Sequence, residues 1–289
     1  MTQIINSLAE IAADYDVLFC DLWGCLHNGV APYPEAVAAL QEFRKQGGRV
    51  VLMTNAPRPA PYVQQQLDRM GVPRDAYDLI VSSGDAAQDA MFAGAVGRKV
   101  WAISQPKDEG FFTDIPAEWQ DAPAIQRVEL DQAEGIVCCG LFNDLTEVPE
   151  DYRARLMLAR EAGLPLLCAN PDVVVDLGDK RLYCAGALAE LYEDIGGKSL
   201  YFGKPHPPIY DMARRKLGLP EDTRYLAVGD GIATDVPGAA GEGIDALFVS
   251  GGLAHDQFGP DVEHPDAAML NEWLALRSEN PRYSIGRLR

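Results

Sequence analysis

Four short stretches carry residue types whose chemistry fits together. FCDLWGCLHNG places Asp21 directly behind a run of apolar residues, and VLMTNAP does the same for Thr54 and Asn55. YFGKPHP carries Lys204, and VGDGIATD carries Asp230 and Asp235. Two carboxylates suit a hard divalent cation such as Mg2+. A carboxylate can also attack phosphorus and form an acyl phosphate. A hydroxyl, an amide and an ammonium group can hold the oxygens of a transferring phosphoryl group while a cation offsets its charge. The set therefore points to phosphoryl transfer. Singly, each stretch is weak. An Asp behind a strand is most often a turn former or helix cap, Gly-Asp-Gly is a natural turn sequence, and a lone Lys is usually a surface residue. The weight lies in the combination.

These residues need elements that hold them at one end of a sheet. Short apolar runs at 17–20, 50–53, 79–81, 100–103, 136–139, 164–168, 200–202, 225–228 and 246–249 read as buried strands. Between them, helical spacing of apolar residues predicts helices at 34–46, 61–70, 85–92, 150–161, 187–195, 208–217 and 236–241, with one more at 267–277. Residues 105–134, rich in Pro, Asp and Glu, read as loops and one short helix. Strands separated by helices of about 10–15 residues predict a parallel sheet covered on both faces. Such α/β, doubly wound sheets bind ligands beyond the carboxyl ends of their strands. Asp21, Thr54, Asn55, Asn170, Lys204 and Asp230 all fall at such ends. No linker or repeat separates domains, so a second domain is expected as an insertion.

The four motifs, in this order, resemble the haloacid-dehalogenase-like (HAD) superfamily of phosphohydrolases. The long gap from Asn55 to Lys204 resembles its class IIA branch, which contains nitrophenylphosphatase-like and sugar or nucleotide phosphatases. The resemblance implies a Rossmann-like core at 1–83 and 184–289 with an inserted, smaller α/β cap at 84–183. It implies Mg2+ as cofactor, held by Asp21, Asp230 and the backbone carbonyl of Trp23. Asp21 would be the nucleophile and Asp235 would support the metal site from behind. Thr54 and Asn55 would bind phosphate, and Lys204 would pair with Asp21 and the phosphoryl oxygens. Asn170, in the Asn-Pro-Asp stretch 170–172, falls where the cap returns to the core. The cap would close over a small phosphorylated metabolite, exclude water and choose the substrate.

One position departs from the family pattern. Its phosphatases usually read Asp-x-Asp at the first motif, the second Asp serving as general acid and base. Here the sequence is Asp21-Leu22-Trp23, and an indole neither gives nor takes a proton usefully. General acid–base help is typically worth about 10²–10⁴-fold. Three readings accommodate the change. The leaving group needs little protonation, as in an aryl or acyl phosphate; His27 donates instead; or the protein binds a phosphorylated ligand, as a regulatory or binding protein, with little turnover.

Composition bounds the alternatives. The 289 residues carry a formal charge of −18, with 25 Lys and Arg against 43 Asp and Glu. Such a surface disfavours nucleic acid and anionic membranes, while Mg2+ and Lys204 would reconcile it with an anionic substrate. No signal peptide or membrane span is expected, and a cytoplasmic location follows as the expectation. A homo-oligomer stays open. Cys20, Cys25, Cys138, Cys139, Cys168 and Cys184 lack metal-site spacing and read as buried free thiols. His27, His206, His255 and His264 read chiefly as surface or loop residues. Gly196-Gly197-Lys198-Ser199 is not a P-loop, because Tyr192 stands where that motif needs Gly and the segment precedes a strand rather than opening a helix after one.

Overall fold

The computed structural model describes residues 2–177 and 180–289. The chain divides into two compact units: Met1–Thr54, Gln64–Val81 and Tyr210–Arg289 form the first, and Asn55–Val63 with Ser82–Ile209 the second.

Among the described residues, the first unit is built on a seven-stranded sheet. Its order is Gln3–Ile4, Tyr283–Ile285, Asp245–Val249, Tyr225–Gly229, Val17–Cys20, Arg49–Thr54 and Leu79–Ser82. The pairs from Gln3–Ile4 across to Arg49–Thr54 are parallel. Val17–Cys20 lies inside the sheet, between Tyr225–Gly229 and Arg49–Thr54, and all four of its side chains are buried. An unbroken apolar run is what a central strand needs when helices cover both faces. The helix Pro34–Lys45 supplies one such cover. Pro34 starts it, Ala36, Val37, Leu40 and Phe43 form its buried stripe, and Arg44 and Lys45 sit favourably at its carboxyl end.

The second unit has a five-stranded sheet in the order Lys198–Tyr201, Pro165–Cys168, Gly135–Cys138, Lys99–Ile103 and Gln126–Arg127, all pairs parallel. Alternate residues feed two cores. Ile103, Ile136, Cys138, Leu166 and Cys168 join one cluster, while Val100, Val137 and Leu167 join another. This is the period of two expected when both faces are covered. The helix Ser83–Ala93 begins with a capping box. The Ser82 hydroxyl accepts from the Asp85 amide (2.9 Å), and the Asp85 carboxylate accepts from the Ser82 amide (2.8 Å).

The doubly wound α/β architecture with a second α/β unit is as expected. The helix Ala185–Asp194 and the strand Lys198–Tyr201 belong to the second unit. The reason is pairing: Lys198–Tyr201 bonds alongside Pro165–Cys168. The apolar run shows that a strand exists but not which sheet it joins. Gln3–Ile4, Tyr283–Ile285, Gln126–Arg127 and the antiparallel pair Val174–Leu177 and Lys180–Tyr183 are further strands that periodicity did not reveal. The expected helix at 150–161 is a 3₁₀ turn, Pro149–Tyr152, followed by the α-helix Arg153–Glu161. No helix among the described residues is long and apolar enough to cross a membrane. The six cysteines are free and buried.

Candidate active site

In the first unit the carboxyl ends of adjacent strands present the predicted residues in a row. Cys20 pairs with Val228, so Asp21 stands one residue, and Asp230 two residues, beyond that register. The Asp21 amide donates to the Val228 carbonyl at 2.8 Å, continuing the ladder by one bond. As a result, carboxylate oxygens of Asp21 and Asp230 and the Sγ of Cys25 all lie within 4.8 Å of one another. Asp21 is half-buried and Asp230 is buried. Two carboxylates this close repel unless a cation or a proton separates them. The donor set therefore fits a hard divalent cation.

Asp230 sits in a fitted cradle. The Leu253 amide donates to its Oδ2 at 2.8 Å. A Cβ at either Gly24 or Gly252 would overlap its carboxylate group. Gly24 also has φ +71, a region that favours glycine. Asp235 shapes the turn that carries Asp230. Its Oδ2 accepts from the Gly231 amide at 3.1 Å, and its side chain leaves no room for a Cβ at Gly229 or Gly231. Thr54 is buried as the last residue of Arg49–Thr54, on the strand beside Val17–Cys20.

The Trp23 indole is half-buried. It packs over Gly29, where a Cβ would strike the ring, and meets the His27 ring edge-on at 5.4 Å. His27, the candidate replacement for the acid, is enclosed in its own loop. It is 1% exposed, and its Nδ1 accepts from the Gly29 amide at 3.0 Å. Burial lowers its pKa to about 4, so the imidazole is neutral at neutral pH, with its basic nitrogen already engaged. The loop 23–29 thus uses His27 to hold its own shape beneath the indole.

Cys25, which the sequence grouped with the core thiols, belongs to this cluster. Burial and the charges of Asp230 and Asp21 push its pKa well up, keeping it a neutral thiol beside them. The available signal was position: Cys25 follows Asp21 by four residues in a tight loop. The cradle made by Gly252 and Leu253 was missed as well, although Gly251-Gly252 stands one residue past the strand Asp245–Val249.

In the second unit Asn55 and Lys204 meet, and both are buried. The Lys204 amide donates to Asn55 Oδ1 at 2.8 Å, and Asn55 Nδ2 donates back to the Lys204 carbonyl at 3.0 Å. The same Nδ2 donates to Asp172 Oδ1 at 2.8 Å. Both amide protons and the amide oxygen of Asn55 are therefore engaged within the second unit. Lys204 lies just past Lys198–Tyr201, a strand of the second sheet rather than the first. Asn170 turns its side chain inward: its Oδ1 accepts from the Asp172 amide at 3.0 Å, closing the 170–172 turn. His206 stacks on Tyr201 at 4.7 Å, whereas His255 and His264 are exposed.

Comparisons with known proteins identify the family. Residues 18–115 match the profile of the haloacid dehalogenase-like hydrolases, and residues 201–272 match a second profile, HAD-hydrolase-like. A solved hydrolase of the haloacid dehalogenase-like family from Brucella suis is 38% identical, covering 99% of this chain and 100% of that one, with a TM-score of 0.83. The chain belongs to the haloacid dehalogenase-like hydrolase family. Two further HAD relatives carry more specific names. The 5'-nucleotidase YutF of Bacillus subtilis is 24% identical over 267 residues, 90% of this chain and 98% of that protein. Glycerol phosphate phosphatase from Mycobacterium tuberculosis, solved in complex with magnesium, is 26% identical and covers 84% of this chain and 70% of that one, with a TM-score of 0.65.

Proposed function

We propose that this HAD hydrolase is a Mg2+-dependent phosphohydrolase of a small phosphorylated metabolite, acting through an aspartyl-phosphate on Asp21. The observation that carries the reading is the approach of the Asp21 and Asp230 carboxylates at the carboxyl ends of neighbouring parallel strands. Relatives named as a 5'-nucleotidase and a glycerol phosphate phosphatase, one of them solved with magnesium, support it.

Asp21, Asp230 and the backbone carbonyl of Trp23 would hold Mg2+, which when bound supplies positive charge that offsets the phosphoryl oxygens. In the first step an Asp21 carboxylate oxygen forms a bond to phosphorus, and the bond to the leaving oxygen breaks with its electron pair. In the second, water attacks the acyl phosphate, releasing phosphate and restoring the carboxylate. Thr54 and Lys204 take the role of hydrogen-bonding the phosphoryl oxygens, and Asp235 holds the turn that presents Asp230. The second unit takes the role of a cap. With an indole at position 23 and His27 sealed in its loop, no acid is assigned to the leaving oxygen. The reading therefore favours substrates whose leaving group departs without help, such as aryl or acyl phosphates.

The indole of Trp23 at the position of the family's usual general acid favours a second reading, a phosphate-ligand binding or regulatory protein with little turnover. A panel of aryl, alkyl and acyl phosphates in Mg2+ separates the two. Turnover that disappears in Asp21→Asn, with a phosphoenzyme trapped only when Asp21 is present, supports the hydrolase. Tight phosphate binding without turnover on any member of the panel sinks it.

A further inference from the structure

We infer that Asn55 is a positioning residue for Lys204, and that Asp172 fixes the orientation in which it does so; the inference rests on the reading that Lys204 grips phosphoryl oxygens. The Asn55 side chain hydrogen-bonds the backbone of Lys204 at two points. Its amide oxygen accepts from the Lys204 N–H at 2.8 Å, and its amide nitrogen donates to the Lys204 carbonyl at 3.0 Å. This two-point grip mimics one rung of a strand pair and fixes both peptide groups that flank the Lys204 Cα. A primary amide can be flipped, and the flipped form would set its NH2 against a donor and its oxygen against a carbonyl. The Asp172 carboxylate, an acceptor only, takes the second Nδ2 proton at 2.8 Å and selects the productive orientation. Gly203 permits the close approach, since a Cβ there would strike both Asn55 Oδ1 and the Ser83 hydroxyl. Asp172 is itself held by the 170–172 turn, through Asn170 Oδ1 and through its own carbonyl, which accepts from the Gly186 amide at 3.1 Å.

A lysine side chain is long and flexible, so its ammonium is only as well placed as the backbone that launches it. A misplacement of about 1 Å in a group that meets a reacting phosphoryl costs about 10²-fold. Asn55→Ala removes the grip without touching the ammonium, and Asp172→Asn removes the charged partner that orients it.

The experiment is a double-mutant cycle. Wild type, Asn55→Ala, Asp172→Asn, Lys204→Ala and the pairs of each with Lys204→Ala are compared in Mg2+. Hydrolysis of 4-nitrophenyl phosphate, calorimetric binding of inorganic phosphate and thermal melting are measured for each. Asn55→Ala is expected to lose between about ten- and 10²-fold in kcat/KM and to bind phosphate more weakly. Asp172→Asn should lose less, in the same direction. In the Lys204→Ala background both changes should cost less than about twofold, because no ammonium is left to place. A loss of equal size in both backgrounds, or no loss in either, overturns the positioning role. If Lys204→Ala itself keeps wild-type phosphate affinity and turnover, the assignment of Lys204 falls and the role of Asn55 falls with it. Should Asn55→Ala fail to fold, the Asp172→Asn arm of the cycle decides alone.

Discussion

Replacing Gly252 by alanine adds one methyl group at the most closely fitted point of the acidic cluster. Gly252 does not occupy the left-handed region, so alanine brings no backbone strain, and its Cβ would overlap the Oδ2, Cβ and Cγ of Asp230. Either the carboxylate or the 250–253 loop must then move, and both movements break the 2.8 Å bond from the Leu253 amide. A hydrogen bond to a charged group contributes roughly 1.5–3 kcal/mol, which is about 10–10²-fold in an equilibrium constant. Since Asp230 is the proposed cation ligand, the loss should appear as a rise of that order in the Mg2+ concentration giving half-maximal hydrolysis of 4-nitrophenyl phosphate. Thermal stability should fall only modestly, by a few degrees for a unit of this size. Gly241→Ala is the control: nothing lies within 4 Å of its Cβ position, in the helix Asp235–Gly241, and it should be neutral or slightly stabilising. If Gly252→Ala keeps both its Mg2+ requirement and its rate within about twofold of wild type, the cradle does not position Asp230 for metal.

Trp23→Asp should raise hydrolysis of alkyl phosphates by up to about 10²–10⁴-fold while changing aryl phosphates little, since only the former need a proton on the leaving oxygen; equal effects on both would show that the indole acts by filling space. His27→Asn should flatten part of the acid limb of the stability curve. The fold prefers the neutral imidazole, so stability is full above the ordinary value of 6.5 and drops as pH falls toward about 4. That component is on the order of 3 kcal/mol, from 1.36 kcal/mol per pKa unit, and denaturation midpoints measured between pH 7 and 4 should lose it in the variant; identical pH dependence in both proteins would refute the buried, neutral assignment.

Buried parallel strands were the most legible part of the fold. Val17–Cys20 is an all-apolar run that ends at a carboxylate, and the structure places it in the interior of the first sheet. Strands that exist because of a distant partner left no local trace. Gln3–Ile4 is two residues long and pairs with Tyr283–Ile285 from the other end of the chain. Lys198–Tyr201 alternates no more clearly than a core strand would, so its membership in the second sheet depends on Pro165–Cys168.

The site divides along a similar line. Residue type told what Asp21 and Asp230 can do, because a carboxylate at a parallel-strand end has few other purposes once a second one stands on the neighbouring strand. It did not tell whether a group is available. His27 was a candidate acid by nearness in sequence, yet its Nδ1 is taken by an amide two residues away. Asn55 was a candidate phosphate ligand by its place beside Thr54, yet its amide is saturated by Lys204 and Asp172, 149 and 117 residues further on. Hydrogen bonds within a loop are set by local geometry and can in principle be anticipated from spacing, as Asx and capping patterns are. Those that cross the fold depend on pairings that no window of the sequence contains, and these are the bonds that turn a reactive side chain into one that places another.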